Sequence, residues 1–356
     1  MLKRIVRAGV RYGLRQKRVR WVVETELARR RVPLMAEGAT GQFFVDRYGV
    51  SHPLDPGLRD WLKPDWRAML DPARAARPPS VEEFRDRTRR AADTVREANQ
   101  VVAAVTGRSL TGRILEIGCY DGAVAFQLAR REGTQVVASD LARYYVVQQP
   151  DRLNDGDLQA QQAVLEELRK RASVVAGIPS DRVQFVEDDI SASSLEPESF
   201  DAIVSFEVLE HVASPRAAFA SMARLLAPGG VAYHDYNPFF SVVGGHSLCT
   251  LDIAWGHARL ESVDFERYLA EIRPAEVDQA LRFYRESLNR LALADLRLAV
   301  EEAELELVAL LPWSDRAIVG DLTTKILSEV QRAYPATAAE DLLATFVTVV
   351  VRKPRV

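Results

Sequence analysis

The chain is short of the features that would set it apart from an ordinary globular protein. Its 356 residues include two cysteines, Cys119 and Cys249, too few for a disulfide framework and not spaced as C-x-x-C or as a zinc-ligand pair. A reducing, cytoplasmic setting is expected. No unbroken apolar run approaches the roughly 18 residues that a membrane-spanning helix needs. The first residues lack the apolar core and small-residue cleavage site of a secretory signal, so export is not expected. Histidine is scarce too, five in all, which makes each imidazole worth following. The net charge is only −3, and beyond the first thirty-one residues the chain is acidic. That disfavours extended contact with a phosphate backbone, and no nucleic-acid partner is expected. There is no internal repeat and no low-complexity tract.

The small net charge hides an asymmetry. Residues 1–31 carry eleven Lys/Arg against Glu24 and Glu26, interleaved with Leu2, Ile5, Val6, Val10, Leu14, Trp21, Val22 and Leu27. A basic amphipathic helix is expected there, either packed on its own domain or making peripheral contact with an anionic membrane surface. Seven prolines between Val32 and Ser80 argue against long helices in that stretch and predict an irregular lobe. Residues 1–80 are thus read as a basic helix and Pro-rich lobe, and 81–356 as the main domain. Ser80-Val-Glu-Glu is a capping box, and Phe84, Ala91, Val95, Ala98 and Val102 recur at helical spacing towards Gly107.

From Arg113 the rhythm changes. Short β-branched runs at 114–117, 135–139, 183–186, 202–206 and 231–233 alternate with helical patterns at 123–131, 157–175 and 215–226. Such alternation predicts a parallel sheet with helices on both faces. Helices at 288–302 and 322–333, each followed by a strand pattern at 304–311 and 345–352, bring the expected strands to seven.

The strongest local signal is Arg113-Ile-Leu-Glu-Ile-Gly-Cys-Tyr-Asp-Gly122, a buried strand ending in a glycine turn that opens a helix. Gly118 and Gly122 are expected to let the backbone approach a ligand at the positive end of that helix. The spacing is E-x-G-x-x-x-G, not the G-x-G-x-x-G of dinucleotide-binding turns, which tells against a nicotinamide oxidoreductase. Asp140 closes the next strand, where a carboxylate grips the two hydroxyls of a ribose or caps a helix. Asp189 lies one strand further along the same sheet edge, where open parallel sheets bind ligands.

With those residues in view, positions 110–236 resemble the class I S-adenosylmethionine-dependent methyltransferases. The likeness runs through Glu116, Gly118 and Gly122, the ribose acid Asp140, the adenine-side acid Asp189 with Ile190 behind it, Phe200 to His211, and Leu225-Leu-Ala-Pro-Gly-Gly230. It implies a Rossmann-like seven-stranded, mostly parallel sheet of order 3-2-1-4-5-7-6, with a cap inserted after strand five at about 237–287. It also implies S-adenosylmethionine as cofactor, contacted by Glu116, Gly118, Cys119, Tyr120, Gly122, Asp140, Leu141, Asp189, Ile190, Phe206 and Glu207. One departure stands out: Tyr120 occupies the place of the family's middle glycine, and it is a candidate to cover the methionine part of the cofactor.

A sulfonium methyl is already activated, so the protein mainly aligns a nucleophile and removes a proton, work that suits histidine. His234 is the first candidate base, His211 the second and His246 the third, all expected near the cleft mouth; for His257, flanked by glycine, a core role is the less expected one. Glu207-x-x-Glu210-His211 also resembles the divalent-metal set of ubiquinone-pathway and small-RNA ribose methyltransferases, although metal-free positioning is the default expectation. The aromatic- and glycine-rich segment from Tyr233 to His246 is read as an acceptor pocket. The expected activity is methylation of a small hydroxylated acceptor: a sugar, a glycolipid precursor or a secondary metabolite. Two readings stay open beside it, a catalytically silent module docked through the basic start, and a homodimer.

Overall fold

The structure, a computed structural model, describes residues 41–64, 66–70, 78–142, 144 and 155–355. The segment 1–31 and the helix expected in it lie outside these residues. Two short strands come first, β1 (Phe43–Val45) and β2 (Ser51–Pro53), paired antiparallel. Two short helices, Leu58–Leu62 and Trp66–Met69, lead to helix α1 (Val81–Thr106). The capping box forms as expected: Ser80 accepts from the Glu83 amide and Glu83 accepts from that of Ser80. Both amides lack helical partners, so the exchange satisfies them together. Gly107, at φ 69°, ends the helix.

The β-branched runs become β3 (Gly112–Ile117), β4 (Thr134–Asp140), β5 (Val183–Glu187), β6 (Phe200–Phe206) and β7 (Leu226–Tyr236), followed by β8 (Glu306–Trp313) and β9 (Phe346–Arg352). Their order is β5-β4-β3-β6-β7-β9-β8. Counted within the sheet, that is the expected 3-2-1-4-5-7-6. The first five are parallel, and β9 runs antiparallel to β7 and β8.

Alternate residues on each strand face opposite sides, so the sheet builds two cores. Ile114, Val136, Ala202 and Val204 pack with Val102 of α1, Phe126 of α2 (Ala123–Ala129) and Leu168 of α3 (Asp155–Ala176). Leu115, Val137 and Ile203 pack on the other face with Phe219 of α4 (Pro215–Leu225).

A third core holds the cap, which includes α5 (Ser262–Ile272) and, further along, a helix Val277–Arg282 that widens into a π turn at Phe283–Ser287. The helix therefore changes character halfway. Helix α6 (Leu293–Glu302) returns to the sheet, and α7 (Thr324–Ala333) covers the cap. The Pro-rich lobe is not an isolated irregular body. Phe44, Leu54 and Leu58 are buried in one cluster with Trp255, Phe265 and Tyr268 of the cap.

Buried charges bind lobe to cap as well. Arg259 donates through Nε to Glu329 (2.7 Å) and through Nη2 to His52 Nδ1 (3.1 Å), while His52 Nε2 lies 3.0 Å from Asp46. Guanidinium nitrogens only donate, so His52 accepts at Nδ1, keeps its proton on Nε2 and stays neutral. Burial and the neighbouring Arg259 depress its pKa. No described helix is long and apolar enough to cross a membrane.

Candidate active site

The ends of β3 and β4 meet at the glycine turn. The Gly118 and Cys119 amides both donate to the Ser139 carbonyl, at 2.8 and 3.0 Å, and the Gly122 amide closes the turn on Cys119 (2.7 Å). Gly118 and Gly122 both have positive φ, 73° and 75°, which favours glycine. What an added Cβ would meet, however, is protein: Val208 at 2.4 Å from position 118 and the Phe185 ring at 2.7 Å from position 122. The first reason for these glycines is therefore close packing of the turn.

Tyr120 takes φ 44°, so the turn tolerates a side chain at the cost of a left-handed backbone, about 1–2 kcal/mol. Its ring faces Arg87 of α1 at 5.7 Å, and Arg87 is paired with Asp121 (2.7 Å). This points the ring towards α1, and the covering role expected over the methionine end is not what the geometry supports.

Asp140 sits at the tip of β4, 8% exposed. Its Oδ2 accepts from the Tyr120 amide and its Oδ1 from the Leu141 amide (2.7 Å). The turn and the acid are thus in direct contact, and a carboxylate retains lone pairs for two hydroxyls. Asp189 accepts from the Ser191 amide (2.8 Å), starting a 3-10 turn that buries Ile190. A cleft of about 180 Å³ is walled by Gly118, Asp140, Leu141, Asp189, Ile190, Glu207, Val208 and His211. A larger open groove of about 460 Å³ lies between α3 and β5 on the other side of Asp140. It lacks the glycine turn and Asp189, both of which line the smaller cleft. Glu116 and Cys119 are buried behind the turn, with pKa values raised first by burial and then by neighbouring acids. Phe206 is half-buried, its ring 5.8 Å from Tyr233. It ends β6 immediately before Glu207, which has φ 55°.

The histidines part company. His234 is fully buried on β7, with Nδ1 2.7 Å from the Ser205 hydroxyl and its ring edge-on to Phe219. Burial alone lowers its pKa to about 3. No acceptor reaches it there, and the role of first-choice base is corrected on that ground. His257 is equally sealed, bonded to the Phe239 carbonyl at 2.8 Å, so it takes the core role that was the less expected one.

His211 and His246 do come together, with rings 5.0 Å apart. His211 Nδ1 lies 2.6 Å from the Ser287 carbonyl; a carbonyl only accepts, so Nδ1 carries the proton and Nε2 is left as a base. Burial lowers the pKa of both rings, which keeps them neutral near pH 7. Glu210 is completely buried, its Oε2 without a partner, and burial raises its pKa to about 8. Ligating atoms of Glu210, His211 and His246 lie within 4.8 Å of one another. The set that converges is therefore not the expected Glu207, Glu210 and His211: His246 joins from the cap, and Glu207 stands at the rim.

Asn237 ties the two glutamates together, its amide donating to Glu210 and its Nδ2 to Glu207, each at 3.1 Å. The sequence reading missed Asn237, although its place one residue beyond a strand tip was a cue.

Comparison with known proteins fits this geometry. A family model described as a methyltransferase domain matches residues 81–310, a span that contains the turn, both acids and the Glu207–His211 segment. The ubiquinone biosynthesis O-methyltransferase of Xanthomonas euvesicatoria pv. vesicatoria (strain 85-10) is 35% identical over 119 residues, 33% of this chain and 40% of that protein. The match to this relative thus spans less than half of its length. That of Xanthomonas oryzae pv. oryzae (strain PXO99A) is 30% identical over 212 residues, 59% of this chain and 72% of the relative. A solved geranyl diphosphate C-methyltransferase from Streptomyces coelicolor A3(2) aligns with TM-score 0.42 at 13% identity, over 72% of this chain and 75% of that one. With the family match extending over more than half of its length, and over every element of the cleft, the chain belongs to the class I S-adenosylmethionine-dependent methyltransferases.

Proposed function

We propose that this protein transfers a methyl group from S-adenosylmethionine to a hydroxyl of a small acceptor seated between the adenosyl cleft and the cap. The observation that carries this reading is the shared wall: Glu207, Val208 and His211 line the cleft, and His211 continues directly into His246 and Glu210. Asp140 would hold the ribose, and Asp189 with Ile190 the adenine. When bound, the cofactor supplies an electrophilic sulfonium methyl. His211 Nε2 would take the proton of the acceptor hydroxyl as its oxygen accepts the methyl. The relatives' names, O-methyltransferases of ubiquinone biosynthesis, support oxygen as the atom methylated and put hydroxylated rings beside sugars, glycolipid precursors and secondary metabolites in a first screen.

Calorimetry with S-adenosylmethionine, followed by a mass-spectrometric screen of hydroxylated acceptors, tests the reading. Binding in the micromolar range and a gain of one methyl on an oxygen are expected. No heat of binding would overturn it, and a methyl found on nitrogen or carbon would overturn the choice of atom. His211→Ala should lower kcat by about 10²- to 10⁴-fold while leaving cofactor affinity in place.

A further inference from the structure

The cap reaches the His211 turn through one segment. Where the helix Val277–Arg282 widens into the π turn Phe283–Ser287, the Phe283 ring lies against both imidazoles, 5.9 Å from that of His211 and 5.8 Å from that of His246. The last carbonyls of a helix have no donor within it, and that of Ser287 takes the Nδ1 proton of His211 at 2.6 Å. Two residues on, half-buried Asn289 directs its donors to the same turn. Its amide donates to the Glu210 carbonyl (2.9 Å), and its Nδ2 to the carbonyls of Leu209 (2.6 Å) and Val212 (2.9 Å). A side-chain amide nitrogen carries two protons, so both are engaged, one on each side of the Glu210–His211 pair. Its Oδ1 accepts from the Leu291 amide at 3.1 Å. Arg290 pins the segment in the cap: its guanidinium lies over the rings of Tyr284 (4.3 Å) and Phe239 (4.5 Å) and donates to the Tyr284 carbonyl at 2.9 Å.

We propose that Asn289 is a positioning residue for methyl transfer, clasping the Leu209–Val212 backbone so that His211 keeps Nδ1 on the Ser287 carbonyl and Nε2 free for the acceptor's proton. The inference rests on the reading of His211 as the acceptor-side base. Leu209–His211 is a 3-10 turn, a form with poorer hydrogen-bond geometry than an α-helix. Its own closing bonds run from the His211 amide to Val208 (2.8 Å) and from the Val212 amide to Leu209, the latter stretched to 3.4 Å. The three bonds from Asn289 therefore carry most of the burden of fixing the imidazole. A reacting group misplaced by about 1 Å loses about 10²-fold in rate, so the stiffness of this turn bears on kcat directly. The helix end contributes as well: its carbonyls carry partial negative charge, which favours the imidazolium formed when Nε2 takes up a proton.

Nitrogen-15 NMR of the full chain labelled at histidine, recorded at about pH 8 where imidazoles are neutral, reads the tautomer of His211 without cofactor or acceptor; the His211→Ala spectrum assigns the signal. The wild type is expected to show one fixed tautomer with the proton on Nδ1. In Asn289→Ala the two ring-nitrogen shifts should move towards each other as the tautomers exchange, and kcat should fall about 10²-fold with KM for S-adenosylmethionine nearly unchanged. Asn289→Asp, which keeps the shape and removes both side-chain donors, should lose at least as much. A wild-type proton on Nε2, which needs no variant to fold, overturns the proposal. So does an Asn289→Ala protein that retains kcat, whatever it loses in Tm, or one whose His211 stays in the wild-type tautomer. Calorimetry with S-adenosylmethionine on the same samples reads the cofactor cleft separately, so a failure of the methyltransferase reading is told apart from a failure of the asparagine role.

Discussion

The sheet and the lobe-cap unit are held by different means. In the sheet, strand register and two apolar layers do most of the holding, with Leu115, Ile203, Ala232 and Phe219 essentially inaccessible. The lobe-cap unit has an apolar core too, but it is tied across about 200 residues of chain by buried charges: Asp46 and His52 to Arg259 and Glu329, and Arg59 to Glu276. Apolar burial is tolerant of exact partner, whereas a buried charge that loses its partner is strongly penalised. The sheet can therefore drift in sequence more freely, while the cap is bound to particular pairs.

The largest break in this comparison should come from Glu329→Ala, which leaves Arg259 buried without its carboxylate. A loss of about 3–5 kcal/mol is expected. Hydrogen exchange should show β1, β2 and the cap losing protection before β3, β4 and β6. Protection lost uniformly would mean that the two units are one cooperative body.

Asp140→Ala probes the opposite side. It should weaken S-adenosylmethionine by about 100-fold, the value of two hydrogen bonds to a charged acceptor, and leave the exchange pattern of the cap unchanged. Unaltered affinity in calorimetry would remove Asp140 from the cofactor site.

Acid should act on both units, and more on the cap. The folded pKa values of His234 and His257 are depressed to about 3 and about 4, and that of His52 is also lowered, mainly by burial. Unfolded chains protonate near pH 6.5, so these groups favour the folded state above that pH, and their contribution drains away as pH falls from about 6.5 towards the folded values. Each histidine adds about 1.4 kcal/mol per pH unit to that slope within its window. Denaturant titrations at stepped pH should show the decline, shallower in His257→Gln; a slope unchanged by that variant would contradict the assignment.

The smallest effect is expected from Tyr120→Gly. Removing a side chain from φ 44° relieves backbone strain of about 1 kcal/mol, and cofactor binding should persist because the ring faces Arg87. Loss of binding in that variant would restore the covering role.

The strand order and the turn were legible because each rests on local pattern: β-branched runs of strand length, a glycine pair, and an acid closing each successive strand. His234 was misjudged for an equally physical reason. Both faces of β7 are buried, so alternation does not reveal which of two neighbours points into the core. His234 turns onto Ser205, while the Asp235 carboxylate accepts from Thr348 at 2.5 Å and its carbonyl from the Glu207 amide at 2.7 Å. The union of lobe and cap was invisible because its pairs are remote in sequence: nothing near His52 announces Arg259.

The close approach between position 118 and Val208 has one more consequence. Val208 separates Glu207 from the Glu210–His211 pair, so the glycine turn and the acceptor-side cluster bear on each other like meshed teeth. Any side chain at position 118 would press on that valine, and through it on the Glu207–His211 segment to either side.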